Sequence, residues 1–291
     1  MKTTKPLSGI LKSFKSKPSR TGSLIITFHG DAIVPRGGSI WLGTLLKFLE
    51  MAGTNGGVVR TSVSRLAADG WLEREKIGRN SFYKLAKNGR ERFEAAVEHV
   101  YNQRPVAWEG QFHLLLIGSG ADRDLSRAEL AEAGFGSPIA GTWIAPFGTK
   151  TPAIPDSTIR LDVSAADDMA RRLVEISWPL DRTAELYHEF IQAFSPLEKW
   201  IDRAGDIDPA EAILARILMI HHYRRVLLRD PLLPEALLPD AWPARAARGL
   251  CGRIYRALIP MSEKWLDQNG LNVTGPLPKS GPELLRRFEE S

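Results

Sequence analysis

The sequence predicts an α+β chain in three parts: an N-terminal winged helix-turn-helix, a central ferredoxin-like α+β domain and a C-terminal all-helical domain. Three observations carry this. A helical segment with a narrow apolar stripe and a dense Arg/Thr/Ser face runs directly into a basic hairpin. Beyond residue 105, short apolar runs alternate with helical segments, and from residue 181 the pattern is helical throughout. The implied parts are a basic flexible arm over 1–21, the hairpin-bearing domain with its connecting helix over 22–104, a middle domain over 105–180 and a helical part over 181–291.

Lys2, Lys5, Lys12, Lys15, Lys17 and Arg20 all precede the first acidic residue, Asp31. A flexible arm of this kind follows phosphates and makes binding salt-dependent. Leu7, Ile10, Leu11 and Phe14 also lie at helical spacing. A short amphipathic helix, a weak membrane contact and a disordered tail therefore stay open beside the arm.

Ser23 to Phe28 gives a first packing element, and Ile40 to Leu49 an apolar-periodic one ending near Gly53. Thr54 to Gly57 is a turn. Val59, Val63 and Leu66 then recur at i, i+4 and i+7, one face of a helix, with Gly70 placed for a left-handed cap. Arg60, Thr61, Ser64 and Arg65 fall opposite, and none is acidic. Such a face suits a DNA major groove, although ordinary surface helices are polar outside too. After Gly70 the period drops to two. Trp71 to Glu75 and Ser81 to Leu85 read as strands around a tip carrying Lys76, Arg79 and Asn80, residues suited to phosphates or the minor groove. Ala86 to Tyr101 is a connecting helix, ended by Gln103-Arg104-Pro105.

In the middle part, Gln111–Ile117, Gly141–Pro146 and Ile159–Val163 read as strands. A helix capped by Ser126 with Glu129 and another over Ser164–Leu173 complete a β-α-β-β-α order, which suggests a ferredoxin-like domain. Gly118-Ser119-Gly120 lacks the third glycine of a dinucleotide loop, where Arg123 stands. Asp122 and Asp124 are the candidates for a metal-dependent nuclease, against the plainer reading of a turn and helix start.

In the last third, Asp181–Phe194 is a helix. Ser195-Pro196-x-Glu198 and Asp208-Pro209-x-Glu211 read as the starts of two more, the second running to about Arg229, and Ala244–Leu258 as a further one. His221, His222, Tyr223, Arg224 and Arg225 interrupt the apolar face of the long helix. Adjacent histidines point a third of a turn apart and make no metal pair. A buried hydrogen-bond and ion-pair network, with Asp230 a candidate member, or an anion pocket, accounts for the cluster. Cys251 reads as a core residue and forms no internal disulfide, which fits a reducing cytoplasm. No apolar run reaches membrane-spanning length, and the net charge of +5 favours polyanionic partners. No catalytic triad order is present in the sequence, and no metal or cofactor is expected.

Gly30-Asp31-Ala32, Pro35-Arg36-Gly37-Gly38, Trp41-Leu42-Gly43, Val59-Arg60-Thr61-Ser62-Val63 with Arg65-Leu66, Gly70-Trp71-Leu72 and Gly78–Tyr83 together resemble the PaaX family of bacterial transcriptional repressors. The likeness continues through Trp108-Glu109-Gly110, Ile191–Phe194, Ile220–Val226 and Arg229–Pro234, from about Ser23 to about Pro260. It implies repression of phenylacetate catabolism genes, release from operator DNA by phenylacetyl-coenzyme A or a related acyl-CoA, and a Cas2-like middle domain, related to the small CRISPR-associated nuclease. The basic arm and short C-terminal tail depart from the family pattern, so their roles do not carry over. Symmetric operators favour a homodimer with recognition helices roughly 34 Å apart. Under this resemblance the densest basic and aromatic combination, His222, Tyr223, Arg224, Arg225 and Arg229 with Trp242, is the expected effector site, where the long helix meets the middle domain.

Overall fold

The hairpin after Gly70 forms with longer strands than the period alone shows, because pairing continues to the loop itself: Leu72 faces Leu85 and Ile77 faces Asn80. The computed structural model describes residues 4–15, 21–101, 107–118, 121–203 and 207–289. In chain order the elements begin with α1 (Lys5–Lys15), α2 (Thr21–Phe28), β1 (Ile40–Trp41), α3 (Leu42–Met51), α4 (Gly56–Ala68), β2 (Leu72–Ile77), β3 (Asn80–Leu85) and α5 (Lys87–Tyr101). There follow β4 (Gln111–Leu116), α6 (Ala121–Glu132), β5 (Thr142–Pro146), β6 (Ile159–Ser164) and α7 (Asp167–Ser177). The chain continues through α8 (Leu180–Ile201), α9 (Pro209–Leu227), α10 (Ala244–Asn269), β7 (Leu271–Asn272) and β8 (Gly275–Pro276). The fold is α+β, with small antiparallel sheets.

Two compact units are present, and they do not follow the linear boundaries that the sequence suggests. One comprises Met1–Gln103, His188–Arg225 and Arg245–Ser291; the other comprises Arg104–Tyr187 and Val226–Ala244. Most of the expected third domain thus belongs with the N-terminal head. Side chains more than two hundred residues apart join the two segments, and no local period reports that.

In the first unit, β1, β3 and β2 form one antiparallel sheet in that order. Phe28 of α2 stacks on Phe48 of α3 with centroids 4.2 Å apart, and Trp265 of α10 meets Phe48 edge-on at 6.3 Å. Thr44 donates to the carbonyl of Asn269 at 2.7 Å, so α3 is tied to the end of α10. Residues 5–15, expected in a flexible arm, form α1 instead. Leu7, Ile10 and Leu11 are buried, and the Thr4 amide donates to Glu211 Oε1 at 2.8 Å. The amphipathic alternative is the one observed, since an i, i+3, i+4 stripe finds apolar cover. Lys2, Lys17 and Arg20 lie outside the described residues.

Helix boundaries depart from expectation at both internal prolines. Ser195-Pro196 does not start a helix; Pro196 lies within α8, and Ser195 Oγ donates back to the Ile191 carbonyl at 2.7 Å. The buried stripe of Phe190, Phe194 and Leu197 continues through it, and that burial offsets a proline cost of about 3 kcal/mol. Pro260 likewise lies inside α10, which runs past the expected Leu258 because Ile259, Trp265 and Leu266 extend the apolar face. Asp208, in contrast, caps α9 as its sequence specifies, accepting from the amides of Ala210 and Glu211 at 2.9 and 3.1 Å.

His29, fully buried between α2 and α3, shares its Nδ1 with the Ile25 carbonyl at 2.9 Å. Burial pushes its pKa below the ordinary 6.5, against smaller opposing effects from the backbone at Ile25 and Tyr83. The unfolded chain binds that proton more readily, so His29 costs no stability above about pH 6.5 and destabilises the fold as pH falls below it. Thermal melts should decline on acidification from about pH 6.5, and His29→Gln should flatten that decline; parallel curves would contradict it.

In the second unit, β4 lies between β5 and β6, antiparallel to both. One face packs Phe112 and Ile144 against Val174 and Trp178. The other packs Leu115 and Trp143 against Leu130 and Phe135. The β-α-β-β-α order is observed, but a loop joins β5 to β6, and the edge beyond β5 is a single bridge between Gly136 and Ile144. Ser126 lies within α6, which starts at Ala121, rather than before its first residue. The start of α7 at Asp167 is also displaced from its expected place, because β6 extends to Ser164.

Candidate nucleic-acid interface

Helix α4 opens at Asn55, whose side chain accepts from the Gly57 amide at 2.7 Å, and has no acidic residue in its first turn. Val59 and Val63 are fully buried, and half-buried Leu66 packs over Gly22 of α2. Gly70, at φ +70°, closes the helix: its amide donates to the Ala67 carbonyl at 3.2 Å and that of Trp71 to Leu66 at 2.8 Å. This is a Schellman motif, which turns the chain straight into β2.

Arg60, Thr61, Ser64 and Arg65 are all exposed on the opposite face. Two make only local contacts, Thr61 Oγ1 to the Gly57 carbonyl at 3.1 Å and Arg60 to the Gly56 carbonyl at 3.4 Å. Both bonds hold the side chains along the helix and are easily given up to a stronger acceptor. Val58, 46% exposed in the first turn, belongs to the same outer surface and was not singled out by sequence reasoning. An exposed apolar side chain on such a face is chemically suited to contact with a thymine methyl.

Lys76, Arg79 and Asn80 are exposed at the hairpin tip. Arg74, which the sequence reading passed over, bonds across the strands to Ser81 Oγ at 2.8 Å, and Lys84 pairs with Glu73 at 3.4 Å. The base of the hairpin is fastened where the Ala86 amide donates to the Trp71 carbonyl at 3.0 Å. The helix face and the hairpin tip are thus presented by one small sheet-and-helix frame.

What holds this frame is a buried charge network that periodicity does not reveal. Asp31, directly after α2, pairs with Arg216 of α9 at 2.7 Å and with Arg287 near the C-terminus at 3.0 Å. The Tyr101 and Tyr255 hydroxyls donate to the same carboxylate at 2.6 and 3.0 Å. Arg216 also reaches Glu263 at 2.8 Å, and buried Arg36 reaches Glu263 at 3.1 Å and Asp267. Burial alone lowers the Arg216 pKa, but the Asp31 carboxylate, Tyr255 and Glu263 reverse this and hold it charged. The Tyr101 hydroxyl is pushed well up, first by burial and then by Asp31, so it stays a donor.

The expected effector residues are divided. His222, Tyr223, Arg224 and Arg225 belong to the first unit, Arg229 and Trp242 to the second. Tyr223 is fully buried, His222, Arg224, Arg225 and Trp242 are half-buried, and Arg229 is exposed. Arg224 donates to Thr27 Oγ1 at 3.5 Å, and burial lowers its pKa. Asp230 accepts from the Tyr187 hydroxyl and from the Leu232 amide at 2.8 Å, both neutral donors. The side chains of Asp122 and Asp124 lie outside the described residues. Among the described residues no three His, Cys, Asp or Glu side chains gather as a metal site, and no helix is long and apolar enough to cross a membrane.

Two family profiles match the chain: one described as "PaaX-like protein" over residues 20–89, and one described as "PaaX-like protein C-terminal domain" over residues 178–268. The first spans α2 to the hairpin, and the second spans α8, α9 and most of α10. A solved structure of an uncharacterized protein from Mycobacterium tuberculosis has a similar fold, with a TM-score of 0.52 and 23% identity over 75% of this chain and 88% of that one. The Escherichia coli (strain K12) protein named Transcriptional repressor PaaX is 35% identical over 285 residues, covering 91% of this chain and 89% of that protein. The chain therefore belongs to the PaaX family.

Proposed function

We propose that the chain is a DNA-binding transcriptional repressor whose N-terminal head is a winged helix-turn-helix, with α4 as the major-groove helix and the β2–β3 hairpin as the wing. The observation that carries this reading is the exposed, acid-free face of Arg60, Thr61, Ser64 and Arg65 beside a basic hairpin tip. The repressor name of the 35%-identical E. coli relative supports it. The protein acts on operator DNA in the cytoplasm, as a homodimer on symmetric sites, and is not an enzyme. The middle unit is a reduced ferredoxin-like, Cas2-like fold.

Phosphate contacts position a protein on DNA without reading sequence. Lys76→Ala or Arg79→Ala should therefore weaken operator and random DNA alike. Each should flatten the log–log dependence of affinity on salt by about one unit. Fluorescence anisotropy over a salt series measures this, and a slope equal to that of the native chain would remove the wing from the interface.

The effector in this reading is phenylacetyl-coenzyme A or a related acyl-CoA, which binds the DNA-incompetent state better and so lowers operator affinity. His222, Tyr223, Arg224 and Arg225 of the first unit supply the basic and aromatic groups. Support comes from Arg224, a largely buried guanidinium whose bond to Thr27 is long and neutral. Arg224→Ala should bind operator normally yet resist release by phenylacetyl-coenzyme A. Release of a folded Arg224→Ala variant at the native ligand concentration would exclude this residue.

A further inference from the structure

The last described turn of the chain is not a trailing end. Phe288 is buried, with 4% of its surface exposed, among three tyrosines. Its ring lies 5.3 Å from those of Tyr101 and Tyr255 and 6.0 Å from that of Tyr223, and the Arg248 guanidinium stands 5.4 Å over it. Gly252 of α10 makes the seat possible, since a Cβ there would come within 3.0 Å of Phe288 Cβ. Yet Phe288 takes a left-handed backbone, φ +62°, which a bulky residue adopts only when its surroundings compensate. An aromatic seat is thus filled by a strained terminal segment that begins beyond the β7–β8 hairpin.

Two arginines make polar contacts around this ring. Arg256 donates to the Phe288 carbonyl at 3.2 Å, and the Phe288 amide donates to the Tyr101 carbonyl at 3.1 Å. Arg248 donates to the Tyr101 carbonyl at 2.8 Å. Removing the tail would leave a benzyl-sized apolar slot bounded by tyrosine rings, with Arg248 and Arg256 beside it. The neighbouring residue in the tail, Arg287, is one of the two arginines on Asp31, so the segment also bears on the network at the foot of the head.

Resting on the effector reading above, we propose that Phe288 is a built-in occupant of the aryl-binding seat of the effector. An aryl-acyl thioester displaces it, its ring entering among Tyr101, Tyr223 and Tyr255 and its acyl carbonyl taking the place of the Phe288 carbonyl at Arg256, with Arg248 over the ring. The side chain of Phe288 is itself a phenyl ring on one methylene, the same group an arylacetyl thioester carries. Displacement withdraws Arg287 from Asp31 and so transmits occupancy of the seat to the end of α2. The ligand must outcompete the tail, which sets the concentration at which release occurs.

Two measurements on the full chain test this. Calorimetry compares phenylacetyl-coenzyme A and acetyl-coenzyme A binding to the native chain and to Phe288→Ala. The variant should bind the phenylacetyl thioester about tenfold more tightly, with acetyl-coenzyme A unchanged between the two proteins. Hydrogen exchange on the native chain follows the Phe288 amide, which should exchange faster on saturation with phenylacetyl-coenzyme A. This second arm decides alone if Phe288→Ala does not fold. If phenylacetyl-coenzyme A binds and releases operator while the amide stays protected, or while a folded Phe288→Ala shows native affinity, the seat lies elsewhere and the effector reading stands. If the thioester neither binds the native chain nor releases operator, the effector reading fails and this inference fails with it.

Discussion

Asp31→Ala is expected to cost about 3–5 kcal/mol of stability, because it strands Arg216 and Arg287 in the core without their shared carboxylate. Both the Tyr101 and Tyr255 hydroxyls lose the same acceptor. Set against a typical domain stability of roughly 5–15 kcal/mol, this loss is a large fraction of the whole. It should lower the midpoint of thermal unfolding by roughly 6–12 °C. Pairing the change with Arg216→Met should recover part of the loss, since an apolar side chain of similar length carries no charge to desolvate. A midpoint within about 2 °C of the native chain for Asp31→Ala would mean that water replaces the carboxylate and that the network holds nothing.

The second large effect falls on binding. Arg60→Ala and Arg65→Ala should each cost about 1–3 kcal/mol of operator affinity if each arginine makes a bidentate base contact. Neither side chain supports the fold, as both are exposed and, among the described residues, Arg60 makes only a long bond to Gly56. Thermal stability should therefore stay within about 0.5 kcal/mol of the native value, which separates a reading role from a structural one. The loss should be larger on operator than on random DNA, unlike the loss from the wing variants. Equal affinities across Arg60→Ala, Arg65→Ala and the native chain would show that α4 does not face DNA.

Short-range chemistry was legible in the sequence, and long-range chemistry was not. The stripe of Val59, Val63 and Leu66, the glycine cap at Gly70 and the Asp208-Pro209 start of α9 each lie within about two helical turns, so the sequence spacing is itself the geometry. Pro196 misled because a proline in a capping pattern reads as a helix start, whereas Phe194 and Leu197 keep α8 bound to a core on both sides of it. Asp31 is separated by 185 residues from Arg216 and by 256 from Arg287, and nothing in either neighbourhood marks the pair. The same holds for Phe288, an unremarkable phenylalanine near a chain end until Gly252 and three tyrosines are seen around it. In the candidate interface, the exposed positions were legible because polarity alone placed them outside. Val58 was missed because an apolar residue beside a buried stripe reads as core.

The claim on which the rest depends is that α4 enters the operator, and tethered cleavage from that helix tests it most directly. Ala68 is exposed at the C-terminal end of α4, on the face shared by Thr61, Ser64 and Arg65 but one turn beyond Ser64. The native Cys251 is buried, and burial pushes its thiol pKa well up, so it does not compete for a thiol-directed iron chelate. An Ala68→Cys protein carrying that chelate should cut operator DNA in two short clusters within the site, separated by about one helical turn, roughly 34 Å, on a symmetric operator. Operator bound at native affinity with no cuts inside the site would contradict the account and move the reading surface away from α4.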